Sequence, residues 1–148
     1  MIDELFGQTC LMRAAILRSE DRRSGADIVP AGEAQTVWLV AQYLRYLGYK
    51  RVDCVEGTRT IDGHRIRKHW VETQGCVVDI TAAALPYCES PVIVSEHSVF
   101  HSLFKSTDRT RVTANSLKAR SPLVKRFEAL LAASPALHRP ALATMATD

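Results

Sequence analysis

The segment richest in chemistry runs His69-Trp70-Val71-Glu72-Thr73-Gln74-Gly75-Cys76-Val77-Val78-Asp79-Ile80-Thr81. Reading Thr73-Gln74-Gly75 as a three-residue hairpin loop puts Gly75 at the third loop position, where a left-handed residue forms the usual bulge. Glu72 then faces Cys76, Val71 faces Val77 and His69 faces Asp79. Directly opposed side chains on one face stand about 4.5–5.5 Å apart at Cβ, so this register sets an imidazole beside a carboxylate. A carboxylate on Nδ1 fixes the tautomer of the ring and leaves Nε2 to act as a base toward a thiol or hydroxyl. The plainer alternative is a structural His–Asp hydrogen bond. The opposite face of the hairpin carries Trp70, Val78 and Ile80.

The four cysteines, Cys10, Cys54, Cys76 and Cys88, include no C-x-x-C pair. They predict a reduced protein without a zinc knuckle. His97 and His101 have the i, i+4 spacing of a metal pair, but no Glu lies between them in the H-E-x-x-H manner and no third ligand is evident. Neither a metal nor a cofactor is expected. No Gly-rich phosphate cradle is present.

The elements that must position these residues alternate in period. Leu5, Phe6, Cys10, Ala14 and Leu17 predict a first helix over 3–18, and Val37, Trp38, Ala41, Leu44 and Leu47 a second over about 33–47, closed by Gly48. Strands are expected at 50–55, 66–72, 76–80 and 91–95, with 56–64 as a loop. A short helix starting at Ser95 or Glu96 carries His97, His101 and Phe104. Residues 110–114 form an edge strand, 122–133 a last helix, and an Ala/Pro-rich tail follows residue 134. The expected fold is α+β, with helices on one face of a small, largely antiparallel sheet. One domain over 1–134 accommodates all of it.

Composition sets the bounds. The chain has 148 residues, 47% hydrophobic and 24% charged, which suits one folded domain and excludes a disordered chain. No apolar run approaches the ~18 residues of a membrane span. The N-terminus carries Asp3 and Glu4 where a signal peptide needs basic residues, so the expected location is cytoplasmic, with no membrane partner. Net charge is +3, unevenly placed: residues 1–104 hold 11 Lys/Arg against 13 Asp/Glu, and residues 105–148 hold 8 against 3. A basic C-terminal third suits an acidic protein partner or nucleic acid. Few aromatics lie there, so nucleic acid is the less favoured of the two.

The arrangement of helix, strand, His69-Trp70-Val71-Glu72 on a strand and Val78-Asp79-Ile80-Thr81 on the next resembles the transglutaminase-like branch of the papain-like cysteine enzymes, in particular its small bacterial and phage members. Tyr43-Leu44-Arg45-Tyr46-Leu47-Gly48-Tyr49 is similar to the end of the family's nucleophile helix. Val55-Glu56-Gly57 is similar to the strand leading to the histidine, and Pro91–Ser95 with Ser98–Phe104 to the segment after the aspartate. The likeness spans about residues 30–104.

The resemblance implies His69 as general base, Asp79 as its orienter and a cysteine at the start of the second helix. The window Gly32-Glu33-Ala34-Gln35-Thr36-Val37 has no cysteine. Three explanations follow: a degenerate member, a cysteine replaced by alanine at position 34, or a nucleophile elsewhere, for which Cys10 is the candidate because it keeps the order Cys, His, Asp. The preferred expectation is a degenerate domain that binds a protein or peptide through the former substrate groove, between the second helix and the hairpin. Ala34 and Trp70 would line it, and the basic residues Lys105, Arg109, Arg111, Lys118 and Arg120 would speed association. The alternative is an active cysteine-type acyl-transfer enzyme (a peptidase, deamidase or transglutaminase relative).

Overall fold

A computed structural model of the chain describes residues 2–21, 32–81, 92–113, 116 and 121–138. The elements in order are α1 (Ile2–Asp21), α2 (Glu33–Tyr46), β1 (Val52–Ile61), β2 (His64–Thr73), β3 (Cys76–Asp79), β4 (Ile93–Ser95), α3 (Val99–Ser102), β5 (Lys105–Val112), α4 (Ser121–Ala133) and a 3₁₀ turn (Pro135–Leu137). The fold is α+β. The five strands make one antiparallel sheet in the order β4-β3-β2-β1-β5.

Two tight turns set the sheet. Asp62 and Gly63 both have positive φ, 50° and 79°, and so do Gln74 and Gly75, 54° and 74°. Both are two-residue hairpin loops of the kind whose twist matches the flanking strands. The first draws β1 and β2 together from Asp53↔Glu72 out to Ile61↔His64, so residues 56–61 and 64 are strand and not loop. The second pairs Thr73 with Cys76 and Val71 with Val78. This is one residue away from the three-residue reading, and a slip of one turns side chains to the other face. His69 and Asp79 therefore stand on opposite faces. The left-handed φ at Gln74, besides that at Gly75, shortens the loop.

The main core lies between one face of the sheet and α1, α2 and α4. It joins Leu5, Met12 and Ile16 of α1, most of α2, Phe127 and Leu130 of α4, and Val52, Val71, Val78 and Ile80 of the sheet region. The buried row of α1 is Leu5, Thr9, Met12 and Ile16, about one residue round from the expected row, leaving Phe6 exposed and Cys10 half-buried. Thr9 tolerates the core because its hydroxyl donates to Leu5 O at 2.7 Å. At the end of α2, Tyr49 N donates to Leu44 O and Gly48 N to Arg45 O, with Gly48 at φ 104°. This is the left-handed glycine cap the sequence predicts. Leu137 is buried in the same core, and Tyr43 Oη donates to its carbonyl at 3.3 Å.

The opposite face carries a smaller cluster of Val55, Trp70 and Phe104, with Phe100 against it. α3 belongs to this side, so the helices do not all share one face. A Cβ added to Gly57 would come within 2.7 Å of the Trp70 ring, which explains a glycine mid-strand. No helix of the described residues is long and apolar enough to cross a membrane.

Candidate functional site

The β2–β3 ladder ends at Val71↔Val78, so the backbone of β2 at His69 has no strand partner on that side. The first residue of α2 fills the gap. Glu33 is 3% exposed, and its Oε1 accepts from His69 N at 2.5 Å and lies 3.1 Å from His69 Nδ1. A carboxylate at a helix N-terminus is favoured by the helix dipole. The other oxygen, Oε2, accepts from Lys68 Nζ at 3.1 Å and lies 3.3 Å from Thr81 Oγ1. On the far side of the ring, Glu56 sits opposite His69 in the β1–β2 register, with Oε2 3.3 Å from Nε2. Arg67 Nε in turn lies 3.1 Å from Glu56 Oε1.

His69 is thus held between two carboxylates. The hydrogen bond to Glu33 raises its pKa, burial opposes this, and the charges of Glu33 and Glu56 add to the rise. The net effect favours the imidazolium, which has two N–H donors and no lone pair to act as a base. The start of α2 carries a carboxylate bonded to the histidine.

Asp79 serves a different histidine. Its Oδ2 lies 2.6 Å from His101 Nε2, and Lys68 Nζ stands 3.0 Å away. Thr81 donates to Oδ1 from its backbone N at 2.8 Å and from its hydroxyl at 3.0 Å. Burial alone would push this carboxyl up. The hydrogen bond from His101, the charge of Lys68 and the Thr81 amide outweigh it and hold the carboxyl below its usual range. Lys68 is fully buried and also donates to Thr81 Oγ1 at 2.6 Å and to His69 O at 3.0 Å. One lysine thereby neutralises part of the charge of two buried carboxylates and ties α2 to the sheet.

His101 continues the chain: its Nδ1 lies 2.5 Å from Ser98 Oγ, and Ser98 caps α3 by accepting from His101 N at 3.3 Å. With a carboxylate on Nε2, the network assigns the ring proton to Nε2 and makes Nδ1 the acceptor of the Ser98 hydroxyl. His97 precedes α3 and is exposed, whereas His101 is buried on Asp79, so the i, i+4 pair does not face a common ligand. Among the described residues, no three His, Cys, Asp or Glu side chains are grouped to hold a metal ion.

A cavity of 210 Å³ lies between α2 and the β1, β2 and β5 part of the sheet. It is lined by Ala34, Val37 and Trp38 of α2, Cys54 and Glu56 of β1, His69 of β2 and Asp108 and Thr110 of β5. Ala34 and His69 both line it. Trp70 does not: alternation along β2 turns it to the other face, where it is buried between Phe104 and His101. Cys10 lies on α1 and lines neither this cavity nor the ion cluster, so it is not the thiol of His69. Cys76 is buried, and burial, with the charge of Glu96, pushes its thiol up. Cys88, Lys118 and Arg120 lie outside the described residues.

The basic residues of β5 are partly spent within the fold. Arg109 pairs with Asp53 at 3.2 Å and Glu72 at 2.9 Å, and Arg111 pairs with Asp53. A bulge opposite Glu56/Gly57 leaves Thr107 unpaired in the β1–β5 register, so Lys105 does not fall in the same row as Arg109 and Arg111.

Sequence reasoning missed Glu33, Lys68, Glu56 and His101. The Ser98-x-x-His101 spacing was the only local signal for the last; the contacts of Glu33 with Lys68 and His69 join residues 35 and 36 apart. The chain matches no protein-family model, no curated protein and no solved structure.

Proposed function

We propose that the chain is a catalytically degenerate transglutaminase-like domain that binds a protein partner through the cavity between α2 and the sheet, in the cytoplasm. The observation that carries this reading is Glu33. Its carboxylate occupies Nδ1 of His69 at the helix start and is itself locked by Lys68. Glu56 takes the remaining ring nitrogen, Nε2, and Asp79 is bonded to Lys68 and His101, so His69 keeps no free nitrogen to act as a base toward a thiol. What remains is a cleft with an apolar α2 wall of Ala34 and Val37 and carboxylates at Glu56 and Asp108. An apolar pocket rimmed by charge suits an anchor side chain of a partner. Lys105 of β5 is exposed and suits long-range attraction of an acidic partner surface, which salt would weaken.

Ala34→Trp fills the cavity without removing any member of the ion cluster. A protein captured by the wild-type chain should be lost on this substitution and kept on Phe6→Ser, an exposed change on α1. Equal capture by all three would refute the groove as the binding site. Among the described residues, a thiol-enzyme reading would use Cys54, which lines the same cavity as His69.

A further inference from the structure

Asp79, His101 and Ser98 form a relay on the face of the sheet opposite His69, and the proposed function does not use it. We propose that Ser98 is a nucleophile toward carboxylic esters, with His101 as its general base and Asp79 as the carboxylate that orients the base.

Three features support the assignment. The two hydrogen bonds are short and consecutive: Asp79 Oδ2 to His101 Nε2 at 2.6 Å, and His101 Nδ1 to Ser98 Oγ at 2.5 Å. The imidazole is fixed: it is 4% exposed, and the rings of Trp70 and Phe100 each lie 5.0 Å from it at centroids. Asp79 is fixed in turn by Lys68 and Thr81, so the base is held in one tautomer. The roles of the two ring nitrogens are exchanged relative to the common serine-hydrolase arrangement, which alters no proton count. Capping α3 requires only that Ser98 Oγ accept from His101 N; it does not require a buried carboxylate on the opposite nitrogen of the same residue.

Access and substrate class follow from the neighbourhood. Ser98 is half-buried; the next residue, Val99, is 77% exposed, and Leu103 at the other end of α3 is 51% exposed. This apolar surface suits the acyl chain of a small ester. In the reaction, the Ser98 Oγ–acyl carbon bond forms as the hydroxyl proton passes to His101 Nδ1. The ester C–O bond then breaks, and the departing alcohol oxygen takes that proton. A water gives a proton to Nδ1 as it attacks the acyl-serine. The acid leaves and the proton returns to Ser98 Oγ. The sum is ester plus water giving acid plus alcohol.

The test treats the full chain with a fluorophosphonate probe, in which Ser98 would displace fluoride, and with p-nitrophenyl butyrate. Ser102, exposed on the same helix, is the built-in reference. The expected result is a Ser98 adduct formed much faster than any on Ser102, with ester hydrolysis abolished by Ser98→Asn, which preserves the cap. His101→Gln should slow both by about 100-fold, within the range of general-base assistance, and Ser98→Cys should retain acylation by the ester. Labelling of Ser98 no faster than of Ser102, hydrolysis that survives Ser98→Asn, or a labelling rate indifferent to His101→Gln would each overturn the proposal.

Discussion

Replacing Lys68 by methionine should be the most damaging conservative-volume change in the chain. The Lys68 ammonium is wholly buried and bridges Glu33 at 3.1 Å and Asp79 at 3.0 Å. Its loss leaves two buried carboxylates without their shared cation. Removing one partner of a buried ion pair costs about 3–5 kcal/mol, because the remaining charge is stranded. Domains of this size have about 5–15 kcal/mol in total, so the variant should be close to unfolded if the wild type lies at the lower end. With a urea dependence of about 1.5 kcal/mol/M, the midpoint should fall by about 2–3 M. Adding Glu33→Gln should recover part of the loss, since it removes one stranded charge, and the cycle should show a coupling of about 1 kcal/mol or more. Urea unfolding followed by tryptophan fluorescence measures all four species. A loss under about 1 kcal/mol for Lys68→Met, or a double variant that loses the full sum of the singles, would refute the shared-cation argument.

The His69 imidazole should titrate above its ordinary value of about 6.5, and Glu33→Gln should bring it down, as followed by NMR of the ring protons. Because the folded-state value is raised, its stabilisation is complete below pH ~6.5 and fades as pH rises through the folded value; titration at or below 6.5 would contradict the two-carboxylate clamp. Gly57→Ala should cost about 1–3 kcal/mol by driving a methyl into the Trp70 ring, with a changed near-ultraviolet dichroism, and much less in a Trp70→Phe background. Gln74→Gly should stabilise by up to about 1 kcal/mol, since Gln74 is held at φ 54°, and a lowered melting temperature would argue against that turn.

Much of the architecture could be read from residue order alone. The periodicity around Val37–Leu47 and the glycine after it announced α2 and its end, and the runs carrying Val, Ile and Trp announced β2 and β3. What failed was register. Gly75 signalled a loop, but whether that loop held two or three residues turned on the backbone of Gln74, a residue type that disfavours the left-handed φ it adopts and so does not announce it. That single residue decided whether Asp79 met His69 or His101. Strand length failed similarly at Asp62-Gly63: a two-residue turn lets strands run to its edge, and polar residues such as Thr58 and Arg65 on a half-exposed strand gave no apolar alternation to show it. The ion cluster was hidden for another reason. Glu33 and Lys68 read as ordinary surface residues, and only the early end of β3 creates the buried gap that they fill together.

The central claim is that the carboxylates of Glu33 and Glu56 hold both ring nitrogens of His69, leaving it a clamped cation and not a base. Limiting exposure of the full chain to an iodoacetamide probe, with and without His69→Ala, tests this most directly. The account predicts that no cysteine labels at a rate that depends on His69. Rapid labelling of Cys54 or Cys10 that disappears in His69→Ala would contradict it.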